Sequence, residues 1–285
     1  MGINLIGIDM KARILDAVKR GLRTYEEECG KKTRFGEPLI GYANTSEVIF
    51  DMFYDHDICK LPRKVYNPAR AMIIYFLPYK EDVVESNRGS QDPSPEWLQA
   101  HHDSMWAMMK VNAAITAEIG KFGRLVSLCN VPTDWDERKC GPEWNYKLAA
   151  YVCGLGEIGP NGCVMTEAGQ AGRFGGVLTD INLVPERDFG FGHTESRAHN
   201  PEMDAEFRRI MAASRYEGFC GKVTDADGKG TADDTKDAGC SQELIAVCPA
   251  GAISEAGINR KACQEYCRKF NSFVPTPDIC GKCYL

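Results

Sequence analysis

The chain has 285 residues, enough for one large domain or two smaller ones. Apolar residues make up 44% and charged residues 26%, which is the composition of a globular protein and not of a disordered one. The formal net charge of −6 argues against binding of duplex DNA or tRNA, because phosphate contacts need a clustered basic surface. The first residues carry neither a basic leader nor a long apolar run, so we expect a cytoplasmic protein with no membrane segment.

The first half of the chain predicts two helices and one buried strand. Apolar residues recur at helical spacing over 10–28, at Ile14, Leu15, Val18 and Leu22. The β-branched and aromatic run at 69–79 predicts a strand, and the polar segment 81–96 predicts a loop. A long helix is predicted over 97–122, with core positions at Met105, Met108, Met109, Ile115, Ile119 and Phe122.

The second half continues the alternation of strand and helix. Strands are predicted at 123–132 and 175–185, a helix at 143–153 and another from about residue 202. The composition then changes to a Gly/Asp/Lys loop and a cysteine-rich end. We therefore expect an α/β (α+β) fold with a mixed-sheet core domain at 1–205 and a second domain at 206–285.

Cysteine is the most informative residue type. The chain has 13, an odd number, and nothing in it suggests export, so disulfides are not expected. Six lie between Cys29 and Cys163. The other seven crowd the C-terminal end, at Cys220, Cys240, Cys248, Cys263, Cys267, Cys280 and Cys283. Such crowding favours a metal site.

The segment CGLGEIGPNG at 153–162 matches the G-x-G-x-x-G pattern of dinucleotide-binding loops through Gly154, Gly156 and Gly159. That pattern needs a strand before the first glycine and a helix after the third. Here the preceding residues look helical and a turn follows, which disfavours a nucleotide loop. A structural turn and a loop for another cofactor stay open.

The longer segment 153–185 resembles the region shared by epoxyqueuosine reductases and corrinoid-dependent reductive dehalogenases. The match runs through the glycine turn, Gly169, Arg173, Thr179-Asp180 and Leu183-Val184-Pro185. Upstream, YNPARAMIIYFLPY at 66–79 is similar to a strand of that superfamily, and the cysteine-rich end is similar to its ferredoxin-like module.

The resemblance implies a nitroreductase-like core that holds a corrinoid (cobalamin) and a C-terminal module with an iron–sulfur cluster that supplies electrons. It implies cofactor contacts at Gly154, Gly156, Gly159, Arg173 and Thr179. It further implies a small-molecule substrate and a redox partner of the ferredoxin or flavodoxin type, while the acidic charge disfavours tRNA.

The proton donor departs from the family pattern. Epoxyqueuosine reductases carry an Asp in a short V-D-S-x-P stretch, and Cys129 stands at the matching position here. Asp134 and Tyr146 are further candidates for donating a proton. Each also has a structural alternative, Cys129 as a core residue and Asp134 as a solvated turn residue.

The cysteine runs also depart from the two-cluster pattern C-x2-C-x2-C-x3-C-P. Val223 occupies a ligand position of the first run, and the second run ends with the chain after Cys283. We therefore expect one [4Fe–4S] cluster on Cys248, Cys280 and Cys283, with a fourth ligand from Cys240, Cys263 or Cys267. A zinc site on the same cysteines and a module without metal are the alternatives.

Two further motifs are weak. The stretch at 225–236 begins like a calcium loop but has lysine at two ligand positions, and His101-His102 are explained as a polar pair on a helix. The remaining function hypotheses are an electron-transfer or metal-binding protein without a corrinoid, and a flavin-binding reductase.

Overall fold

The computed structural model describes residues 5–55, 59–128, 135–136, 141–142, 144–159, 161–184, 205, 216–217, 242–254, 257–270 and 279–285, and the structural findings concern these. The predictions at Cys129, Asp134, Cys220 and Cys240 lie outside them. The predicted helix from about 202, most of the predicted strand end 128–132 and the loop at 225–236 do so as well.

Helices and short strands alternate along the chain. The helices are α1 (Leu5–Glu28), α2 (Val48–Asp55), α3 (Pro62–Val65), α4 (Glu81–Arg88), α5 (Pro95–Ile119), α6 (Tyr146–Val152), α7 (Gln242–Ala246) and α8 (Arg260–Cys267). The strands are β1 (Leu39–Asn44), β2 (Ala71–Pro78), β3 (Leu125–Ser127), β4 (Trp135–Asp136), β5 (Gly141–Pro142), β6 (Glu157–Ile158), β7 (Val164–Met165), β8 (Gly172–Thr179), β9 (Tyr216–Glu217), β10 (Ile253–Ser254) and β11 (Gly257–Asn259). A 3₁₀ turn at Lys282–Tyr284 ends the chain.

The main sheet has four strands in the order β1-β2-β8-β3. Every neighbouring pair in it is antiparallel, so the expected mixed sheet is wrong for the described strands of this core sheet, and the class is α+β. All eight residues of β2 are buried, because helices cover both faces of this inner strand. The predicted strand at 69–79 is thereby confirmed, within two residues at its start.

Helices α1 and α5 cover one face of the sheet. Ile14 and Val18 are fully buried, as their spacing predicts, but Leu15 is 37% exposed. In α5, Met108 packs in the core, whereas Met105 and Met109 are more than half exposed. These two residues are four apart and share a solvent-facing side, so their assignment to the core was wrong. Phe122, beyond the end of α5, is also exposed.

The segment predicted as a loop at 81–96 contains helix α4. Glu81 and Asp82 lie in its first turn and Arg88 in its last, the arrangement that favours a helix dipole. Val83 is buried and anchors the helix to the core. Polar composition therefore concealed a short amphipathic helix. Helix α5 then begins after Ser94, whose hydroxyl accepts a hydrogen bond from the Trp97 N–H.

The other face of the sheet is covered by α2, α6 and the β6–β7 hairpin, around a core that contains Phe50, Met72, Ile74 and Trp144. A small sheet of order β10-β11-β9 forms the C-terminal part, with Ile253 and Ile258 between its elements. No described helix is long and apolar enough to cross a membrane.

Candidate metal centre

Four cysteines from three separate segments line one cavity in the C-terminal part of the chain. They are Cys248 after α7, Cys263 within α8, and Cys280 and Cys283 in the last turn. The rest of the wall is mainly apolar, with Ala252, Ile253, Ile258 and Tyr266. The void between the side chains is about 40 Å³, more than one water molecule needs. Voids of this size are few in close-packed proteins, so this one is a candidate site.

A tight turn orients the first of these cysteines. Gly251 has φ +58°, and its N–H donates to the Cys248 carbonyl at 3.1 Å. The turn brings the N–H of Ala252 within 3.3 Å of the Cys248 sulfur, to which it donates. Hydrogen bonds of this kind stabilise negative charge on a ligating sulfur. The segment Cys-Pro-Ala-Gly-Ala at 248–252 thus folds into a turn around the Cys248 sulfur.

Helix α8 carries the two cysteines between which the sequence could not choose. The helix begins after Asn259, whose side chain accepts a hydrogen bond from the Ala262 N–H at 3.0 Å. Cys263 lines the cavity. Cys267, one helical turn further on, does not, and packs in a cluster that contains Tyr266, Ile279 and Cys280. The structure therefore brings Cys263 together with Cys248, Cys280 and Cys283.

The last turn is fixed to the core by three hydrogen bonds to its backbone. The Trp97 indole donates to the Ile279 carbonyl at 2.9 Å, and the side-chain amide of Asn87 donates to the Cys280 carbonyl at 3.1 Å. On the other side, the Asn161 amide donates to the Cys283 carbonyl at 2.6 Å. Two of the four thiols are consequently positioned by side chains from α4, α5 and the β6–β7 hairpin.

Lys282 lies between the two terminal cysteines and is 5% exposed. Its ammonium group donates to the backbone carbonyls of Asn87 and Ser90 and to the Ser90 hydroxyl. Burial lowers the pKa of Lys282, and the negative charges of Cys280 and Asp92 oppose that shift. The carboxylate of Asp92 accepts a hydrogen bond from Tyr266, which lines the cavity.

The pKa of the Cys280 thiol is raised to about 11, mainly by burial and to a smaller extent by the neighbouring Cys263 and Cys248, although the backbone N–H and the charge of Lys282 lower it. A bound metal would displace the proton, since thiolates are the ligating form. Within the described residues, no three His, Cys, Asp or Glu side chains are close enough to hold a single ion.

Of the three predicted proton donors, the structure describes Tyr146 alone. It is the first residue of α6, is half-buried, and stacks edge-on against Trp144 at 6.4 Å between ring centres. It does not line the cysteine cavity. The geometry therefore does not connect this phenol to the four thiols.

The glycine turn follows a helix and precedes a hairpin, which rules out the dinucleotide arrangement. Gly154, at φ +75°, ends α6: its N–H donates to the Tyr151 carbonyl and the next N–H, that of Leu155, donates to Ala150. This is the hydrogen-bonded end that a left-handed glycine gives a helix. The β6–β7 hairpin comes next, with no helix at Gly159.

Beside this turn lies an open cleft of about 660 Å³, bounded by α1, β1 and the turn itself. Gly154, Leu155 and Gly156 form one wall, and Lys11, Tyr42 and Glu167 supply its polar groups. The volume is in the range of small-molecule sites. Two of the five predicted cofactor-binding residues thus line a cleft.

The other three predicted cofactor residues do not line that cleft. Thr179 is fully buried, and its hydroxyl donates to the Arg124 carbonyl. Arg173 pairs with Leu77 inside the main sheet. The N–H of Gly159 donates to the Cys163 carbonyl within the hairpin. Thr179 and Gly159 thus have structural roles in the sheet and in the hairpin, and the pairing of Arg173 involves its backbone.

Sequence reasoning did not find the residues that dock the last turn. Asn87, Trp97 and Asn161 are far from the cysteines along the chain, and no local pattern marks them. For Lys282 a signal exists, namely a cation inside a C-x2-C motif, but its burial becomes evident only in three dimensions.

No protein-family model matches the chain, and no curated protein sequence matches it. Among solved structures, it is similar to a crystal structure of selenomethionine-labelled epoxyqueuosine reductase, at 14% identity and a TM-score of 0.42. The match covers 88% of this chain and 57% of that one, so the chain spans little more than half the length of that protein. This similarity indicates a distant relation at most.

Proposed function

We propose that the protein is an iron–sulfur oxidoreductase whose single [4Fe–4S] cluster is held by Cys248, Cys263, Cys280 and Cys283. The observation that carries the proposal is the meeting of these four thiols around one apolar cavity. Four cysteines are the usual ligand set of such a cluster. Of the three candidates for the fourth ligand that the sequence leaves open, Cys240, Cys263 and Cys267, the proposal takes Cys263, which lines the cavity.

The sequence around the thiols favours a cluster over a zinc ion. The Cys-Pro-Ala-Gly-Ala-Ile sequence at 248–253 resembles the Cys-Pro ending of ferredoxin cluster motifs, whereas the C-x2-C pair at Cys280 and Cys283 suits either metal. We therefore propose iron, and metal analysis of the purified protein distinguishes the two.

The cluster would supply one-electron transfer, and the protein residues around it have separate roles. The N–H groups of Ala252 and Lys282 donate to the sulfurs of Cys248 and Cys280 and stabilise their negative charge. Ile253 and Ile258 exclude water from the apolar side. Both roles follow from contacts that exist without the metal.

A substrate or second cofactor would occupy the cleft at Gly154–Gly156. The β6–β7 hairpin links the two sites, because Gly156 lines the cleft and Asn161 lines the cysteine cavity. Five residues of chain span at most about 18 Å, which bounds the distance between these walls. We propose a binding core at 1–205 and a ferredoxin-like module at 206–285. A ferredoxin or flavodoxin would reduce the cluster of that module.

Cobalamin is the cofactor that the sequence resemblance implies, but the described residues fit it in part only. Gly154 and Gly156 line the cleft, whereas Gly159, Arg173 and Thr179 do not. We therefore derive no step through a corrinoid. The same observation favours the second candidate function, an iron–sulfur electron carrier that binds no corrinoid.

The test uses protein purified without oxygen. We expect a broad visible absorption band, about four irons and four sulfides per chain, and no zinc. A Cys153→Ser variant is the control and should bind as much iron as the wild type, since Cys153 is buried in the core away from the cavity. Zinc in place of iron, or no metal in the wild type and the control, would overturn the proposal.

A second titration separates the two candidate functions. Hydroxocobalamin, and then a flavin, is added to the iron-loaded protein while the absorption spectrum is followed. A spectral change that saturates at one equivalent supports the reductase. Iron without any response to either cofactor supports the electron carrier.

A further inference from the structure

The side chain of Lys282 makes contacts that a surface lysine does not make. It lies within the C-x2-C motif of Cys280 and Cys283, yet it is directed into the core and is 5% exposed. Lysine is almost never fully buried unless its charge is paired or hydrogen-bonded. The contacts of its ammonium group explain how this burial is possible.

The partners of the ammonium group come from the end of α4 and the loop after it. The carbonyls of Asn87 and Ser90 and the Ser90 hydroxyl accept from it. An ammonium group has three N–H donors, and these three oxygens match them. The carbonyls at a helix C-terminus lack partners within the helix and attract positive charge. The arrangement is that of a cation capping α4.

Asn87 ties the same helix end to the cysteine turn a second time. It is fully buried, donates to the Cys280 carbonyl at 3.1 Å and accepts from the Ser94 N–H at 3.0 Å. The turn at Cys280–Cys283 is thus bound to α4 through a side chain from each partner. Asp92, in the loop after α4, is the nearby counter-charge.

We propose that Lys282 is a positioning residue, which fixes the Cys280–Cys283 turn on the end of α4 and keeps a buried positive charge beside the cluster. The proposal rests on the proposed function. A fixed cation near the cluster favours the reduced form, whose negative charge is greater, and it acts strongly because protein and not water surrounds it. Removing the lysine charge while Asp92 remains makes the surroundings of the cluster more negative. The reduction potential of the cluster should therefore fall.

The first experiment follows the potential of the reconstituted full-length protein by redox titration with EPR detection. In Lys282→Met, the ratio of reduced to oxidised cluster at a fixed potential should fall at least tenfold, about 59 mV for one electron. Lys282→Arg keeps the charge and should stay within threefold of the wild type. Lys261→Met removes an exposed charge from the same module and should also stay within threefold.

The second experiment needs no metal. The rate at which iodoacetamide alkylates Cys280 in the metal-free protein reports how often the turn opens. We expect alkylation at least tenfold faster in Lys282→Met than in Lys261→Met. An equal rate overturns the positioning role, and an unchanged potential in Lys282→Met overturns the electrostatic one.

The outcomes separate this proposal from the proposed function. If the wild type binds no iron, the proposed function fails, and the alkylation rates still test whether Lys282 holds the turn. If Lys282→Met and Lys282→Gln lose the cluster while Lys282→Arg and Lys261→Met keep it, the charge-dependent anchoring is supported. If Lys282→Arg also loses it and the alkylation rates are equal, the proposal is wrong.

Discussion

The indole N–H of Trp97 donates a hydrogen bond to the carbonyl of Ile279 at 2.9 Å, joining positions 182 residues apart. Trp97 belongs to the first turn of α5, and Ile279 immediately precedes Cys280. The same ring packs edge-on against Tyr79 and lies 6.2 Å from the ring of Tyr284. One buried aromatic side chain therefore connects the main core to the cysteine turn.

Replacing Trp97 by phenylalanine keeps most of the packing and removes this hydrogen bond. A buried carbonyl then lacks its partner, so we expect a loss of about 1–3 kcal/mol in the free energy of unfolding. Urea denaturation of the metal-free protein, followed by far-UV circular dichroism, measures it. Trp106→Phe, on the same helix but 43% exposed, is the control and should lose less than about 0.5 kcal/mol. Equal losses would contradict the role of the hydrogen bond.

Gly281 is the second residue on which the cysteine turn depends. It has φ +62°, and a Cβ there would lie 1.9 Å from a carbon of the Trp97 ring. Gly281→Ala adds a left-handed strain of about 1–2 kcal/mol to an overpacking cost of about 1–3 kcal/mol. We expect a combined destabilisation of about 2–5 kcal/mol in urea, together with loss of iron.

Gly251→Ala is the matched control for that substitution. Gly251 has nearly the same backbone angle, φ +58°, but among the described residues no atom beyond its chain neighbours lies within 4 Å of a Cβ placed there. Only the backbone strain of about 1–2 kcal/mol should therefore be measured. If the two variants lose equal stability, the close contact between Gly281 and Trp97 is not what determines the cost.

The sequence predicted those parts of the fold that depend on local pattern. The uninterrupted apolar run of β2 indicated a strand buried on both faces, and the spacing of Ile14 and Val18 indicated α1. The wrong predictions have one cause: a local sequence pattern does not show which other elements pack against the segment. Met105 and Met109 are apolar but share a side of α5 that no described element covers. Helix α4 is polar in composition and is stabilised by its end charges and by Val83.

The residues of the candidate site likewise include some that local sequence patterns predict and others that they do not. Local motifs indicated that Cys248, Cys280 and Cys283 belong together, because Cys-Pro-x-Gly-Ala and C-x2-C are short patterns. The choice between Cys263 and Cys267 depends on which side of α8 meets the turn, and spacing alone does not decide it. The contacts of Asn87 and Lys282 join positions about two hundred residues apart along the chain, so no pattern in the sequence could indicate them.

The two cysteines of α8 provide the sharpest test of the ligand set. Cys263→Ser should lose most of its iron and the EPR signal of the cluster, because Cys263 lines the cavity. Cys267→Ser changes a thiol that packs beside Tyr266 and should retain both. Iron analysis and EPR spectra of anaerobically purified variants measure this. The reverse result would assign the fourth ligand to Cys267.

The glycine turn can be tested at its two ends. Gly154→Ala places a Cβ more than 4 Å from every described residue except its chain neighbours, so it adds only left-handed strain, for which we expect a loss of about 1–2 kcal/mol.

At Gly156 an added Cβ would collide with backbone atoms. A Cβ would lie 2.2 Å from the carbonyl oxygen of Met165, which cannot move without opening the β6–β7 hairpin. We therefore expect Gly156→Ala to lose more stability in urea than Gly154→Ala does. Because the hairpin carries Asn161, which holds the Cys283 carbonyl, iron retention should fall as well. A Gly156→Ala variant as stable as the wild type would mean that the turn can separate from the hairpin at little cost. In that case the glycines would be better explained by a ligand in the cleft than by packing.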